Sequence, residues 1–397
     1  MNFVGIIAEY DPFHSGHALQ LRMLRQRGAS TIAVCMSTGV VQRGGVPILP
    51  EAVRVRAALA AGADLVVALP APYANASAEQ FAAAGVHLLA ALGCDTLAFG
   101  AETPEPAPLQ AAAAALCSAA FPAALRSQLE SGLPFAAARA AAAETLCPGA
   151  ADLLQTPNNI LGIEYCKAIL ELGASLVPIP LPRQGAGHGQ ALTETGGQFA
   201  SASALRTLWQ NGGADAAAPY VPAEVLPLYR EAFAAGQYTD LAAAQRYQLA
   251  LLRSRCAGTA PFAQVRGISE GLEHRLEAAV RSSTTHAELL DSLTTVRYPR
   301  ARMRRLAMDA ALDYSADAFP ALPPYLHLLG ARRELLGQLK QAALPASHSL
   351  MRLQEENAAC ARMVQAQLTA SDFAALCRAK PRPMGGALRQ KIIFLTK

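Results

Sequence analysis

"FVGIIAEYDPFHSGH", residues 3–17, joins an unbroken apolar run to a turn that carries two histidines. The run "FVGIIA" (3–8) reads as a strand buried on both faces. The segment "GHALQLRMLRQRG" (16–28) has apolar residues at helical spacing and reads as an amphipathic helix. The alternation then repeats. Strands are expected at "TIAVCM" (31–36), "DLVVALP" (64–70) and "TLAFG" (96–100). Helices are expected at "EAVRVRAALAAG" (51–62) and "SAEQFAAAGVHLLAALG" (77–93), the latter opened by Ser77 with Glu79 and Gln80 in its first turn. Short apolar strands between helices specify a doubly wound α/β domain with a parallel sheet.

Residues 104–156 are Ala-rich and read as helical, because alanine loses least on entering a helix. "PNNILGIEYCKAILELG" (157–173) has a proline at its start and a glycine at its end, the usual asymmetry of a helix. "ASLVPIPLPRQGAG" (174–187) holds one more strand and runs into a Pro/Gly-rich segment. A domain boundary is expected there, dividing residues 1–187 from a mainly helical domain at 188–397. Within the latter, helices are expected at 201–209, 238–254, 271–283, 286–295 and 300–314.

Hydrophobic residues make up 52% of the 397-residue chain and charged residues 16%, which supports a packed core and argues against disorder. The opening residues lack the basic start and small-residue cleavage site of a signal peptide. No run of about 18 apolar residues appears, so a membrane span is not expected. The eight cysteines form no CxxC pair, which leaves zinc and redox motifs without support and favours reduced thiols in a cytoplasmic protein. A formal net charge of +4 does not by itself argue for nucleic acid. The first lysine is Lys167, so arginine and histidine are the cationic side chains of the first 166 residues.

In a doubly wound fold, ligands bind beyond the carboxyl ends of the strands. "HSGH" (14–17) falls there, at a helix N-terminus whose free N–H groups attract anions. Gly16 lets a phosphate approach the backbone, and His14 and His17, three apart, can face the same way and donate to phosphate oxygens. The plainer alternative is a helix cap at Ser15 with two incidental histidines. "MSTGVVQRGGVPILP" (36–50) follows the second strand and holds three glycines around Arg43. A connection of this length is more often functional than not. "FGAE" (99–102) ends a strand at Gly100, and "PNN" offers amides at a helix start. "RYPRARMRR" (297–305) packs five arginines into nine residues, suited to an RNA backbone or, more plainly, to a solvated face. The tail "KPRPMGGALRQK" (380–391) is also basic.

These motifs carry a family. "GIIAEYDPFHSGH" resembles the signature of the HxGH nucleotidyltransferases. With "MSTGVVQRGG", "GADLVVALPAPYANASAEQFA", "LAFGAE", "PNNILGIEY", "RQGAGH" and "SASALR" in that order, the chain resembles the bacterial tRNA(Met) cytidine acetate ligases, strongly over residues 3 to about 206. The resemblance implies a Rossmann-like fold of the HUP kind. It further implies activation of acetate by ATP to acetyl-adenylate, followed by acetylation of N4 of the wobble cytidine of elongator tRNA(Met) without acetyl-CoA. The implied ATP-binding positions are Ile7, Ala8, Glu9, Tyr10, Asp11, Pro12, Phe13, His14, Ser15, Gly16, His17, Ala18, Leu19, Gln20, Gly100, Asn158, Asn159 and Arg183. The chain departs from the family pattern at Asp11, Ser15, Thr38, His188 and Gly189.

In that frame His14 and His17 are the catalytic candidates. Arg43 and Arg54, with Arg183, are candidates for the β- and γ-phosphates, and Mg²⁺ is expected with the ATP. Candidates for tRNA are Arg297, Arg300, Arg302, Arg304 and Arg305. Trp209 is a lesser candidate for stacking on the target base, with core packing the plainer reading. No metal-ligand set is expected from the protein itself, and no covalent protein nucleophile is required. Two other readings stay open: an adenylyltransferase for a small phosphorylated cofactor precursor, and a non-enzymatic ATP-sensing RNA-binding protein, for which the departures at Asp11, Ser15 and Thr38 speak.

Overall fold

The computed structural model describes residues 1–182 and 200–394. The first part alternates as expected: β1 (Phe3–Ala8), α1 (Ser15–Gln26), β2 (Thr31–Ser37), α2 (Glu51–Ala60), β3 (Leu65–Leu69), the short α3 (Ala71–Ala74), α4 (Ala78–Ala91) and β4 (Thr96–Ala101). Four helices follow, α5 (Pro106–Cys117), α6 (Phe121–Glu130), α7 (Phe135–Leu146) and α8 (Ala150–Leu153), then α9 (Pro157–Leu172) and β5 (Val177–Pro182). β5, β4, β1, β2 and β3 lie side by side in that order, all parallel.

Side chains on alternate positions of each strand enter opposite cores. Ala33, Cys35, Leu65, Val67 and Leu69 pack in one with α4, α5 and α9, while Val4, Ile6, Ile32, Val34, Met36, Val66 and Ala68 pack in the other with α1 and α2. The runs are apolar throughout because both faces are covered.

The chain beyond residue 200 is mainly helical: α10 (Ala202–Ala217), α11 (Leu226–Ala234), α12 (Leu241–Arg255), α13 (Leu272–Ser282), α14 (His286–Leu293) and α15 (Arg300–Ala311). α12 to α15 build a core of their own from residues such as Leu252, Leu276, Leu289, Met303 and Ala307. α10 and α11 instead cover the sheet, with Leu205, Trp209 and Tyr229 in the core that holds β1. Trp209 is 1% exposed, which favours its plainer reading as a packing residue.

One feature of this region was not expected. β6 (Leu326–Ala331) returns to the sheet antiparallel to β3, and β7 (Ala346–Ser347) and β8 (Ile393–Phe394) pair with β6. Between them lie α16 (Leu350–Glu356), α17 (Ala358–Leu376) and α18 (Gly386–Arg389). Residues from 200 onward therefore complete both the sheet and its two cores. Among the described residues, no single helix is long and apolar enough to cross a membrane.

The return strand carries a buried imidazole. His327 on β6 is 4% exposed, and its Nδ1 lies 3.0 Å from Gln367 Nε2, while Tyr325 Oη donates to Gln367 Oε1 at 2.9 Å. Burial lowers the His327 pKa from 6.5 to about 4. The unfolded chain binds this proton below about pH 6.5 and the folded chain does not, so the stabilisation is complete above that pH and lost as pH falls toward 4. The expected loss between pH 7 and 4.5 is roughly 2–3 kcal/mol. Urea midpoints at the two pH values measure it, and His327→Gln, with no charge to acquire, removes that share of the slope.

Candidate functional site

A cavity of about 570 Å³ opens at the carboxyl ends of β1, β4 and β5, lined there by Ile7, Ala8, Gly100, Leu181 and Pro182. The strand order reverses between β1 and β4, which is where doubly wound sheets bind ligands. α1 starts at this point. His14, not Ser15, is its N-cap: the Gly16 N–H donates to His14 Nδ1 at 3.1 Å, and the His14 N–H faces His17 Nδ1 at 3.3 Å. Each Nδ1 is an acceptor in this box, so in the neutral rings the proton resides on Nε2. The two imidazoles stack with centroids 3.8 Å apart and planes at 26°, and the rings of Tyr10 (4.8 Å) and Phe13 (5.5 Å) pack on His17. A Cβ at Gly16 would sit 2.9 Å from His14 Cε1, so glycine is what lets the first ring fold over the helix start.

The turn before the histidines is held by its carbonyls. Arg54 Nη1 donates to Glu9 O at 2.7 Å, Arg206 Nη1 to Asp11 O at 2.7 Å, and Tyr229 Oη to Phe13 O at 2.9 Å. These three donors come from α2, α10 and α11. Tyr10, between the first two, has φ +47°, a conformation that needs such support. The carboxylates of the turn fix the neighbouring 38–50 loop. Glu9 accepts from the Gln42 N–H at 2.7 Å and pairs with Arg43 at 3.1 Å. Asp11, 3% exposed, accepts from the Ile48 N–H at 2.6 Å and from Arg43 at 3.1 Å, with Arg206 at 3.6 Å.

A model of the HIGH Nucleotidyl Transferase family matches residues 1–386. The tRNA(Met) cytidine acetate ligase of Latilactobacillus sakei is 36% identical over 86% of each chain. That of Syntrophotalea carbinolica is 34% identical over 89% of this chain and 86% of its own. The chain belongs to the HIGH nucleotidyltransferase family, in its tRNA(Met) cytidine acetate ligase branch. The crystal structure of Thermotoga maritima TmcAL bound with alpha-thio ATP superposes over the whole of both chains with a TM-score of 0.89 at 23% identity, a likeness in fold.

Of the segment expected to bind ATP in this ligase-family chain, Ile7, Ala8, Glu9, Tyr10, Asp11, His14, Gly16, His17, Leu19 and Gln20 line the cavity. Pro12, Phe13, Ser15 and Ala18 do not, and Phe13 and Ala18 belong to the core. Gly100 and Asn158 line it, and Asn158 Nδ2 donates to Glu102. Asn159 stands behind: its amide accepts from the Thr103 N–H and donates to Thr103 Oγ1, which fixes the loop after β4. Arg183, His188 and Gly189 lie outside the described residues.

Arg54 is corrected by the structure. It is 0% exposed, and its guanidinium donates to the carbonyls of Glu9, Ser37, Thr38 and Leu49. A fork already engaged with four carbonyls has little left for phosphate, so Arg54 is a structural brace, whereas Arg43 lines the cavity.

The arginine cluster divides. Arg297 pairs with Glu270, Arg300 with Asp291, and Arg302 lies over the Tyr298 ring at 5.1 Å. Arg305 lines the cavity at the strand ends, beside Ala301. Arg304 packs its backbone on the 38–50 loop, where Gly44 (φ +79°) leaves room: a Cβ there would lie 2.6 Å from Arg304 C. Sequence reasoning missed Arg206 and Tyr229. Arg206 ends the quoted "SASALR", a usable signal, but nothing local marks Tyr229. Among the described residues, no group of three or more His, Cys, Asp or Glu side chains could hold a metal.

Proposed function

We propose that this chain joins acetate to a tRNA cytidine with ATP, as the names of its relatives say of them. It forms acetyl-adenylate from acetate and ATP, then acetylates N4 of the wobble cytidine of elongator tRNA(Met). The observation that carries the reading is the pair of stacked histidines capping α1 at the mouth of the cavity. Acetate oxygen attacks the α-phosphorus, the bond from that phosphorus to the bridging oxygen breaks, and pyrophosphate leaves. His14 and His17 donate from Nε2 to the α-phosphate oxygens as negative charge grows there, alongside the N-terminal N–H groups of α1. Arg43 and Arg305 supply positive charge for the triphosphate, and Gly100 and Asn158 border the nucleoside. Mg²⁺ would enter as part of the nucleotide substrate, since the described residues offer no cage for it.

In the second step the cytidine N4 attacks the acyl carbon, AMP leaves and the amine proton is lost. The anhydride is already activated, so no protein nucleophile is involved; Cys35 is 0% exposed and burial raises its pKa. Asp11 does not repel phosphate in this reading, because Arg43 and the Ile48 N–H already hold its charge. That answers one of the three departures, at Asp11, Ser15 and Thr38, that speak for a degenerate, non-enzymatic pocket. We place the reaction in the cytoplasm, with residues from 297 to 305 beside the approaching RNA.

The test is an incubation of the pure protein with ATP, Mg²⁺, labelled acetate and bulk bacterial tRNA, followed by nucleoside analysis. N4-acetylcytidine formed without acetyl-CoA supports the reading. Pyrophosphate release with no label in RNA keeps the first step and overturns the acceptor.

A further inference from the structure

A second cavity, of about 420 Å³, lies across the 38–50 loop from the first. Thr38, Gly39 and Leu49 face it, whereas Gln42 and Arg43 of the same loop face the catalytic cavity. Its other wall is the C-terminal segment, with Arg378, Arg382 and Arg389. Residues 378–391 carry Arg378, Lys380, Arg382, Arg389 and Lys391 and no acidic residue.

This segment is not a loose basic tail. The Ala379 N–H donates to Tyr238 O, the Lys380 N–H to Gly236 O and the Arg382 N–H to Ala375 O, at 2.9–3.1 Å. Asp372 Oδ1 accepts from the Gly385 N–H at 2.8 Å. The guanidinium groups thus project from a clamped frame, which lowers the cost of ordering them around a ligand.

The positive charge of the cavity is poorly balanced. Arg378 donates to the neutral Gln237 at 2.8 Å, and burial together with Arg382 lowers its pKa. Arg389 donates to the Met384 carbonyl at 2.8 Å. Glu51 and Asp372 also line the cavity, but burial raises the Glu51 pKa, and Asp372 is engaged with backbone. Planar guanidinium forks suit phosphate oxygens. A ligand that reaches both cavities across one loop is extended and carries phosphates at intervals.

We propose that Arg378, Arg382 and Arg389 form a cradle for backbone phosphates of the RNA substrate, beside the cavity that takes the reacting base. This rests on the RNA acceptor of the reading above. Such contacts position the nucleic acid and carry no sequence information.

The test uses Arg382→Ala/Arg389→Ala and the reversal Arg382→Glu/Arg389→Glu, both at exposed side chains. Three quantities are read: acetate-dependent ATP–pyrophosphate exchange, tRNA binding between 50 and 200 mM salt, and the KM for tRNA in acetylation. The expected result is exchange within twofold of wild type and a tRNA KM raised about tenfold or more. The slope of log affinity against log salt falls by roughly 1–2 in the alanine variant. Unchanged tRNA binding and slope would overturn the cradle. So would binding of inorganic pyrophosphate that depends on these arginines while tRNA binding does not, which would assign the cavity to a free phosphate. A fall in exchange matching the fall in tRNA binding would also overturn it, by making the segment a support of the catalytic loop. If wild-type protein exchanges pyrophosphate but acetylates no RNA, the acceptor reading fails, and the binding arm still decides the cradle.

Discussion

Acetate-dependent ATP–pyrophosphate exchange falls by about two to three orders of magnitude in His14→Ala and in His17→Ala, the loss typical of removing one preorganised donor from a developing negative charge. The geometry makes the two losses interdependent. Each ring orients the other, through the cap bond from Gly16 to His14 Nδ1, the His14 N–H at His17 Nδ1, and a 3.8 Å stack. The double variant is therefore expected to lose little more than either single one, as for groups that act as a unit. Loss of the cap costs about 1 kcal/mol of stability, too little to unfold the chain. Thermal melting run beside the exchange assay separates the effects. Exchange within tenfold of wild type in both variants, with a normal melt, would return the histidines to the role of a helix cap.

The second large effect falls on stability. Arg54→Met leaves the carbonyls of Glu9, Ser37, Thr38 and Leu49 facing an apolar side chain, three of them in fully buried hydrogen bonds. Orphaned buried acceptors and the loss of a charge set near Asp11, Glu51 and Glu9 together cost about 3–5 kcal/mol. Arg54→Lys decides the cause. A lysine keeps the charge but cannot reach four acceptors with one planar fork, so it is expected to be nearly as damaging. Denaturant midpoints of the two variants give the answer, and wild-type stability in the lysine variant would show that charge alone matters there.

Most of the α/β half of the fold is legible in the sequence, because its strands are buried on both faces and read as uninterrupted apolar runs between helices. The site's location follows from the same pattern, since the two histidines end the first strand. What escaped reading was long-range. β6 has an apolar run, "LHLLGA", but stands alone among helices, about 260 residues after the strand it pairs with. Ser15 is the commoner cap residue, so the ring nitrogen of His14 was not the first choice. Arg54 reads as a cation near phosphates because nothing local shows that carbonyls from three segments converge on it. Arg305 was placed with an RNA-facing cluster, and only the packing of α15 against the Gly44 loop brings it to the cavity.

The three donors that grip the Glu9, Asp11 and Phe13 carbonyls impose an order on the making of this protein. The histidine turn, residues 9–17, leaves the ribosome long before Arg206 and Tyr229 are synthesised. Until those two arrive, Arg54 is the one of these three donors in place, and the Asp11 and Phe13 carbonyls lack their side-chain partners. The nascent chain thus carries the chemistry of the site before it has the shape. The turn therefore takes its final support only when α10 and α11, which close over the β1 side of the sheet, have been made.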